Sequence, residues 1–338
     1  MQQSRIRLKS ENLMPTMDIT EKMRSAIYAG IIGDALGVPV EASTRQELAL
    51  CSVKNMLGYG RYDQPEGTWS DDSSLTLCTM ESLINGHDIE EIGKNFCRWL
   101  YEGHWTSTGF VFDAGITTFL SLDKIHSNHA SALKSGCTHE DDNGNGALMR
   151  MLPVALYYCN ADADEFLRRV HELSAITHAH PRAKIGCGVY ALLVRELLSG
   201  IDNNEAYRSA TSQALSWYSL FPEFKTELPH FIRIFSNDIG SLPREQIHSS
   251  GYLIDTLEAS IWCLLNHSNT KDALLAAVNL GLDTDTTGMV AGGLAGLCYG
   301  LDGVPRQWLD SLARKIEIDA IIEHFVAAAS QRRAGKPS

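Results

Sequence analysis

Residues 18–36 read DITEKMRSAIYAGIIGDAL. Asp18 with Glu21 three places on is a capping-box-like start, and Met23, Ile27 and Ile31 recur every four residues, the spacing that lays an apolar stripe along one helix face. The spacing predicts a helix from Asp18 to about Leu36. The same grammar returns at Asp88 with Glu91 and at Asp255 with Glu258, each followed by apolar residues at helical spacing such as Ile92, Phe96 and Trp99. Further helical runs are Asp164 to Ile176, Arg182 to Leu198 with Gly200 as a stop, Ala206 to Tyr218, Lys271 to Asn279, and Pro305 to Ile316 with proline in the first turn. Strand-like alternation is nearly absent, and no 20–50-residue repeat or long Gly/Ser/Pro linker divides the chain. The sequence therefore reads as an all-α, single compact multi-helix domain over residues 21–330.

The 338 residues are 44% hydrophobic and 21% charged, enough for a substantial core. With 29 Lys and Arg against 41 Asp and Glu, the formal charge of −12 disfavours nucleic acid or an anionic membrane as partner. The longest apolar and small-residue run, Gly288 to Leu301, falls short of the roughly 20 residues a spanning helix needs, and no signal segment opens the chain. The eight cysteines stand singly, without C-x-x-C spacing, and read as reduced thiols. A cytoplasmic location is expected. Two ends differ from the rest: residues 1–20, read as an N-terminal arm with Arg5, Arg7 and Lys9 ahead of Leu13, Met14 and Pro15, and residues 331–338, read as a flexible tail. The arm suits either a frayed end or a partner-docking segment.

Oxygen-bearing side chains gather at helix starts. In GTWSDDSSL, residues 67–75, Ser70 reads as a cap with Asp71 and Asp72 in the first turn, which also suits the helix dipole. In LGLDTDTTG, residues 280–288, Asp283, Asp285, Thr286 and Thr287 offer hard oxygen ligands of the kind Mg²⁺ and Mn²⁺ take. Behind them Gly288, Gly292, Gly296 and Gly300 lie four apart, a packing stripe. In GIIGDALGVPVE, residues 30–41, Asp34 continues the buried stripe and needs a partner, while Glu41 follows the Pro39 turn. DDNGNGALMR, residues 141–150, sets Gly144 and Gly146 beside Asn145 as a nest of backbone N–H groups ahead of a helix, suited to phosphate or ribose oxygens. SAITHAHPR, residues 174–182, puts His178 and His180 at a helix junction, where a core role or a touch on diphosphate or ribose is open. No Walker loop, H-E-x-x-H pattern or G-x-S-x-G elbow appears.

Taken in order, GDALGVPVE, SDDSSL, GNGALMR, THAHP, GYLIDTLEASIW and DTDTTG resemble the ADP-ribosylglycohydrolase family, and in particular its dinitrogenase reductase-activating glycohydrolases and ADP-ribosylarginine hydrolases, over roughly residues 22–315. The resemblance implies an all-α fold of the ADP-ribosylglycohydrolase type with two Mg²⁺ or Mn²⁺ ions in a cleft. It implies that Ser70, Asp71 and Asp72 from one helix start and Asp283, Asp285 and Thr286 from the other hold the ions, Ser70 standing where many members have Thr. It places Glu41 beside the metals and Asp142 near the scissile ribose, so that Glu41, Asp72, Asp142 and Asp285 are the expected catalytic residues. Gly144, Asn145, Gly146, His178 and Tyr252 are the expected substrate-binding residues, with Tyr252 against the adenosine part. The implied reaction is hydrolysis of the N-glycosidic bond between ribose and an arginine on a protein substrate. Two other readings stay open: a different ADP-ribosyl linkage, or an immunity protein whose arm occludes an ADP-ribosyltransferase toxin. A metal-dependent phosphoesterase suits the carboxylates but not the Gly-Asn loop and Tyr252.

Overall fold

A computed structural model describes residues 17–335 and carries eleven helices of nine or more residues, with no strand among the described residues. They are α1 (Ile19–Gly37), α2 (Asp71–Ile84), α3 (Ile89–Glu102), α4 (Ile116–His126), α5 (Ala163–Ala175), α6 (Pro181–Ser199), α7 (Asn203–Tyr218), α8 (Leu253–Asn266), α9 (Thr270–Val278), α10 (Thr284–Tyr299) and α11 (Lys315–Arg333). Asp18 caps α1 by accepting from the Thr20 and Glu21 N–H groups, and Asp88 caps α3 in the same way. Gly200 ends α6 in the left-handed conformation at φ 90°, as a stop residue should.

The centre of the molecule is an antiparallel pair, α1 against α10, and small residues set their spacing. A Cβ on Gly288 would stand 2.3 Å from the Gly33 carbonyl oxygen, one on Gly292 2.3 Å from Ala29 O, and one on Gly296 2.5 Å from Ser25 O. The glycine stripe is therefore a packing surface along which two backbones touch, and no side chain fits between them. Around this pair α8 and α9 pack on α10, α6 is covered by α5 and α7, and α2 lies between α3 and α11.

Three expected boundaries differ. The helix around Asp255 starts at Leu253, because the Asp255 carboxylate accepts from the Ser250 hydroxyl instead of capping. The run from Pro305 to Ile316 is two elements: a turn of helix, Arg306–Asp310, ends ahead of Arg314, which takes φ 55° and starts α11. That last helix continues to Arg333, into the tail expected over residues 331–338, of which residues 336–338 lie outside the described residues. Of the arm expected over residues 1–20, residues 1–16 lie outside the described residues, and Asp18 to Thr20 belong to the start of α1. No helix among the described residues is long and apolar enough to cross a membrane.

Candidate active site

The C-terminal end of α1 gathers the starts of two other helices. Asp34, fully buried in the last turns of α1, accepts from the Ser70 and Ser73 backbone N–H groups and from the Ser73 hydroxyl, which fixes the beginning of α2. Gly37 lies so close to the start of α10 that a Cβ there would fall 2.3 Å from the Asp285 backbone. Asp34 thus acts as a brace, and the Ser70 and Ser73 donors are the partners that its buried position demanded. Two acidic first turns, Asp71 with Asp72 and Asp285, are brought together by one helix end.

They open on a cavity of about 260 Å³ lined by six carboxylates, those of Glu41, Asp71, Asp72, Asp113, Asp283 and Asp285, with Thr286 and no Lys or Arg. Within the helix starts, Asp285 accepts from the Thr286 N–H at 2.9 Å, and the Thr286 hydroxyl reaches Asp72 Oδ2 at 3.4 Å. Ser70 caps α2, its Oγ 3.3 Å from the Asp72 N–H and 3.2 Å from Asp72 Oδ2, and it lines a smaller cavity adjoining the first instead of the main wall. Asn145 donates to Asp283 Oδ2 at 2.9 Å and to Thr256 Oγ1 at 2.8 Å, so it orients a carboxylate as well as lining the cavity.

Burial pushes the Asp71, Asp72 and Asp285 carboxyls well above the usual carboxylate range, and neighbouring carboxylates push them further. Burial likewise raises Glu41 to about 7, with Asp113 and Asp283 adding repulsion and the Tyr62 phenol opposing it. Asp72 Oδ1 and Glu41 Oε2 are buried without a hydrogen-bond partner. Such orphaned acceptors are costly unless a cation joins them. An all-oxygen set with excess negative charge fits hard divalent cations, so the residues present suit a metal site. The atoms that converge most tightly are those of Glu41, Asp113 and Asp285, all within 4.8 Å of one another.

Asp113 is the residue the sequence reading missed. It stands two residues ahead of Gly115, the N-cap of α4, whereas Asp71, Asp72 and Asp285 lie within the first turns of their helices. Its carboxyl is also raised, by burial first.

The opposite part of the cavity is made by Gly144, Asn145, Gly146 and His178 with the first turn of α4, Gly115 to Thr118. The expected nest of free N–H groups is only partly there, because the Asn145 N–H donates to Gly251 O and residues 145–150 form a 3₁₀ helix. His178 is almost fully buried, and its Cε1–Nε2 edge lies against Gly144 and Gly146. A relay defines this ring. Arg150, wholly buried, donates to Gly146 O, to Leu173 O and, at 2.7 Å, to Thr177 Oγ1. A guanidinium only donates, so the Thr177 hydroxyl spends its own proton on His178 Nδ1, 2.7 Å away. Burial, helped by the Arg150 charge, lowers His178 to about 3. The ring is therefore neutral with its proton on Nε2, facing the cavity.

Two expected residues are not among those lining the cavity. Asp142 accepts from the His139 N–H through Oδ2, and its neighbourhood on the 139–142 turn holds it away. Tyr252 pairs by its backbone with Gly144 from behind, its phenol 3.5 Å from Arg182 Nη1. His180 caps α6.

Comparison with known proteins agrees with this architecture. A solved structure titled an ADP-ribosylglycohydrolase-related protein complex superposes with a TM-score of 0.76 at 28% identity, covering 92% of this chain and 99% of that one. The ADP-ribosylarginine hydrolase Tri1 of Serratia proteamaculans is 30% identical over 315 residues, 93% of this chain and 81% of that protein. The ADP-ribosyl-[dinitrogen reductase] glycohydrolase of Rhodospirillum rubrum is 30% identical over 303 residues, 88% of this chain and 92% of that protein. The model of the ADP-ribosylglycohydrolase family matches residues 15–335, and with nearly the whole chain accounted for, the protein belongs to that family.

Proposed function

We propose that this protein hydrolyses the N-glycosidic bond between ribose C1″ and an arginine guanidinium on an ADP-ribosylated protein, releasing ADP-ribose and free arginine. The observation that carries the reading is the cavity itself, where six carboxylates and no cationic side chain stand beside a Gly-Asn loop and a neutral histidine donor. Two relatives named ADP-ribosylarginine hydrolase Tri1 support the linkage.

Two Mg²⁺ or Mn²⁺ ions are assigned to Asp71, Asp72, Asp283, Asp285 and Thr286, with Ser70 at the edge of the set. Bound there, the ions would orient the ribose hydroxyls and stabilise charge as the C1″ bond breaks. Asp72 and Asp285 are thus the catalytic pair in the sense that they hold this group. Glu41 and Asp113 enter the cavity from loops, and the unpartnered Oε2 of Glu41 suits it to take the proton of the attacking water. The water oxygen bonds C1″ while the C1″–N bond breaks, and the proton that Glu41 took from the water passes to the departing guanidine nitrogen. His178 Nε2–H and the Gly144–Gly146 backbone hold substrate oxygens. Tyr252, whose backbone pairs with Gly144, is assigned to the adenosine end, and Asp142 carries no role in this reading.

A cytoplasmic place of action is part of the proposal, and all eight cysteines being free thiols supports it. The basic arm, residues 1–20, is assigned to docking on a partner, an ADP-ribosyltransferase toxin being the one that fits an immunity role. Deleting residues 2–17 should weaken that binding and leave hydrolysis intact. The linkage is tested by offering arginine-linked and serine-linked ADP-ribosyl proteins with metal and following intact ADP-ribose by mass. Release from arginine is expected; release from serine alone would replace the arginine reading.

A further inference from the structure

Helix α4 has an unusual outward face. It buries Thr118, Ser121 and Leu122, yet turns Ile116, Phe119 and Leu120 to solvent at 79%, 45% and 48% exposure. Positions i, i+3 and i+4 form one stripe, and on a helix already packed by its other side that stripe would ordinarily be polar. Isolated exposed apolar residues are common, whereas a contiguous set beside a cleft marks a contact surface. Phe110, on the loop leading into α4, is 54% exposed as well.

The stripe starts in the cavity wall. Ile116 lines the cavity with Gly115, Thr117 and Thr118 while remaining open to solvent, so wall and surface are continuous. Leu120 lies only about 6 Å further along the helix axis. Phe110 borders the adjoining small cavity, which shares Asp71 and Asp113 with the main one. Charge orients the occupant: the carboxylates draw in a cationic group, and an arginine carrying the cleaved bond brings its own polypeptide to the rim, since the side chain is too short to keep the backbone far from the mouth.

We propose that the outward stripe of α4, Phe119 and Leu120 with Ile116, is the docking surface for the polypeptide that carries the ADP-ribosyl group, a folded protein with apolar side chains flanking its modified arginine. This rests on the hydrolase reading above. Substrate choice would then be set in two places, the cavity reading the ADP-ribose and α4 reading the protein.

The test uses a double variant, Phe119→Gln with Leu120→Gln, since neither residue lines the cavity. Full-length metal-loaded wild type and variant are compared on an arginine-ADP-ribosylated protein and on the small conjugate ADP-ribosylarginine. Loss of an aromatic and an aliphatic contact should raise KM for the protein by about tenfold, with kcat unchanged and the small conjugate cleaved alike by both. Unchanged kinetics on the protein, or equal losses on both substrates, overturns the proposal. So does light scattering that finds a wild-type dimer made monomeric by the variant, which would give the face to a second copy. If the wild-type protein cleaves neither substrate, the hydrolase reading fails first and the docking surface falls with it.

Discussion

Thr177 is not among the residues lining the carboxylate cavity, yet replacing it with valine should weaken ligand binding. Valine keeps the shape and removes the hydroxyl that accepts from Arg150 and donates to His178 Nδ1. Two costs follow. Arg150 Nη2 keeps only Leu173 O at 3.2 Å in a wholly buried place, a loss of about 1–3 kcal/mol. With roughly 2.1 cal/mol/K of unfolding entropy per residue over 338 residues, the melting temperature should fall by about 1–4 °C. The second cost is functional: without the Thr177 donor, His178 is free to carry its proton on Nδ1, and Nε2 then faces the cavity as an acceptor. A lost hydrogen bond to a charged oxygen is about 1.5–3 kcal/mol, so the Kd for ADP-ribose, measured by calorimetry with metal present, should rise about 10- to 100-fold. Thr177→Ser keeps the hydroxyl and should bind as wild type. Ring nitrogen NMR reads the cause directly, with the Nε2–H form in wild type and Thr177→Ser and a mixture in Thr177→Val. Wild-type affinity in Thr177→Val, or equal losses in both variants, would refute the relay.

Other outcomes follow from the same geometry. Because Glu41 is raised to about 7, and Asp71, Asp72 and Asp285 well above the usual carboxylate range, the metal-free site holds protons at pH 6 that a cation must expel. Metal affinity should therefore strengthen from pH 6 to 8, with net proton release seen by calorimetry in two buffers of different ionisation enthalpy. Gly288→Ala would drive a methyl into the Gly33 carbonyl, at a cost of about 1–3 kcal/mol or more; thermal melting should show it, and metal affinity should fall with it because Asp285 sits one turn away. Asp113→Asn should cut kcat on the small conjugate by about 10²-fold, measured by steady-state kinetics at saturating metal.

Much of this was legible in the sequence. Asp18 and Asp88 announce their helices because a cap is a local event, fixed by residues two and three places away. The glycine stripe of α10 showed its spacing, and the antiparallel partner that explains it is α1. Long-range contacts were harder to read. Asp113 stands alone between apolar residues and becomes a site residue only because the loop before α4 folds onto Glu41 and Asp285. Asp142 reads as well as Asp113 in the one-dimensional text, but the turn at His139 claims its carboxylate. The stripe of α11, Ile318, Ile321, Ile322, Phe325 and Val326, has helical spacing, yet its start depends on the left-handed turn at Arg314, which no glycine marks. The Arg150–Thr177–His178 relay joins residues 27 and one places apart, and its donor logic emerges only from the folded geometry.

The central claim is that the buried carboxylates bind divalent cations in order to cleave an ADP-ribosyl bond. Asp285→Asn keeps the size of the side chain and removes one charge from the set. Wild type and variant are incubated with arginine-ADP-ribosylated protein and Mg²⁺ or Mn²⁺, with and without EDTA, and intact ADP-ribose is followed by mass. Release by wild type that EDTA and Asp285→Asn each abolish is the predicted result; release that persists in EDTA, or undiminished in Asp285→Asn, would contradict it.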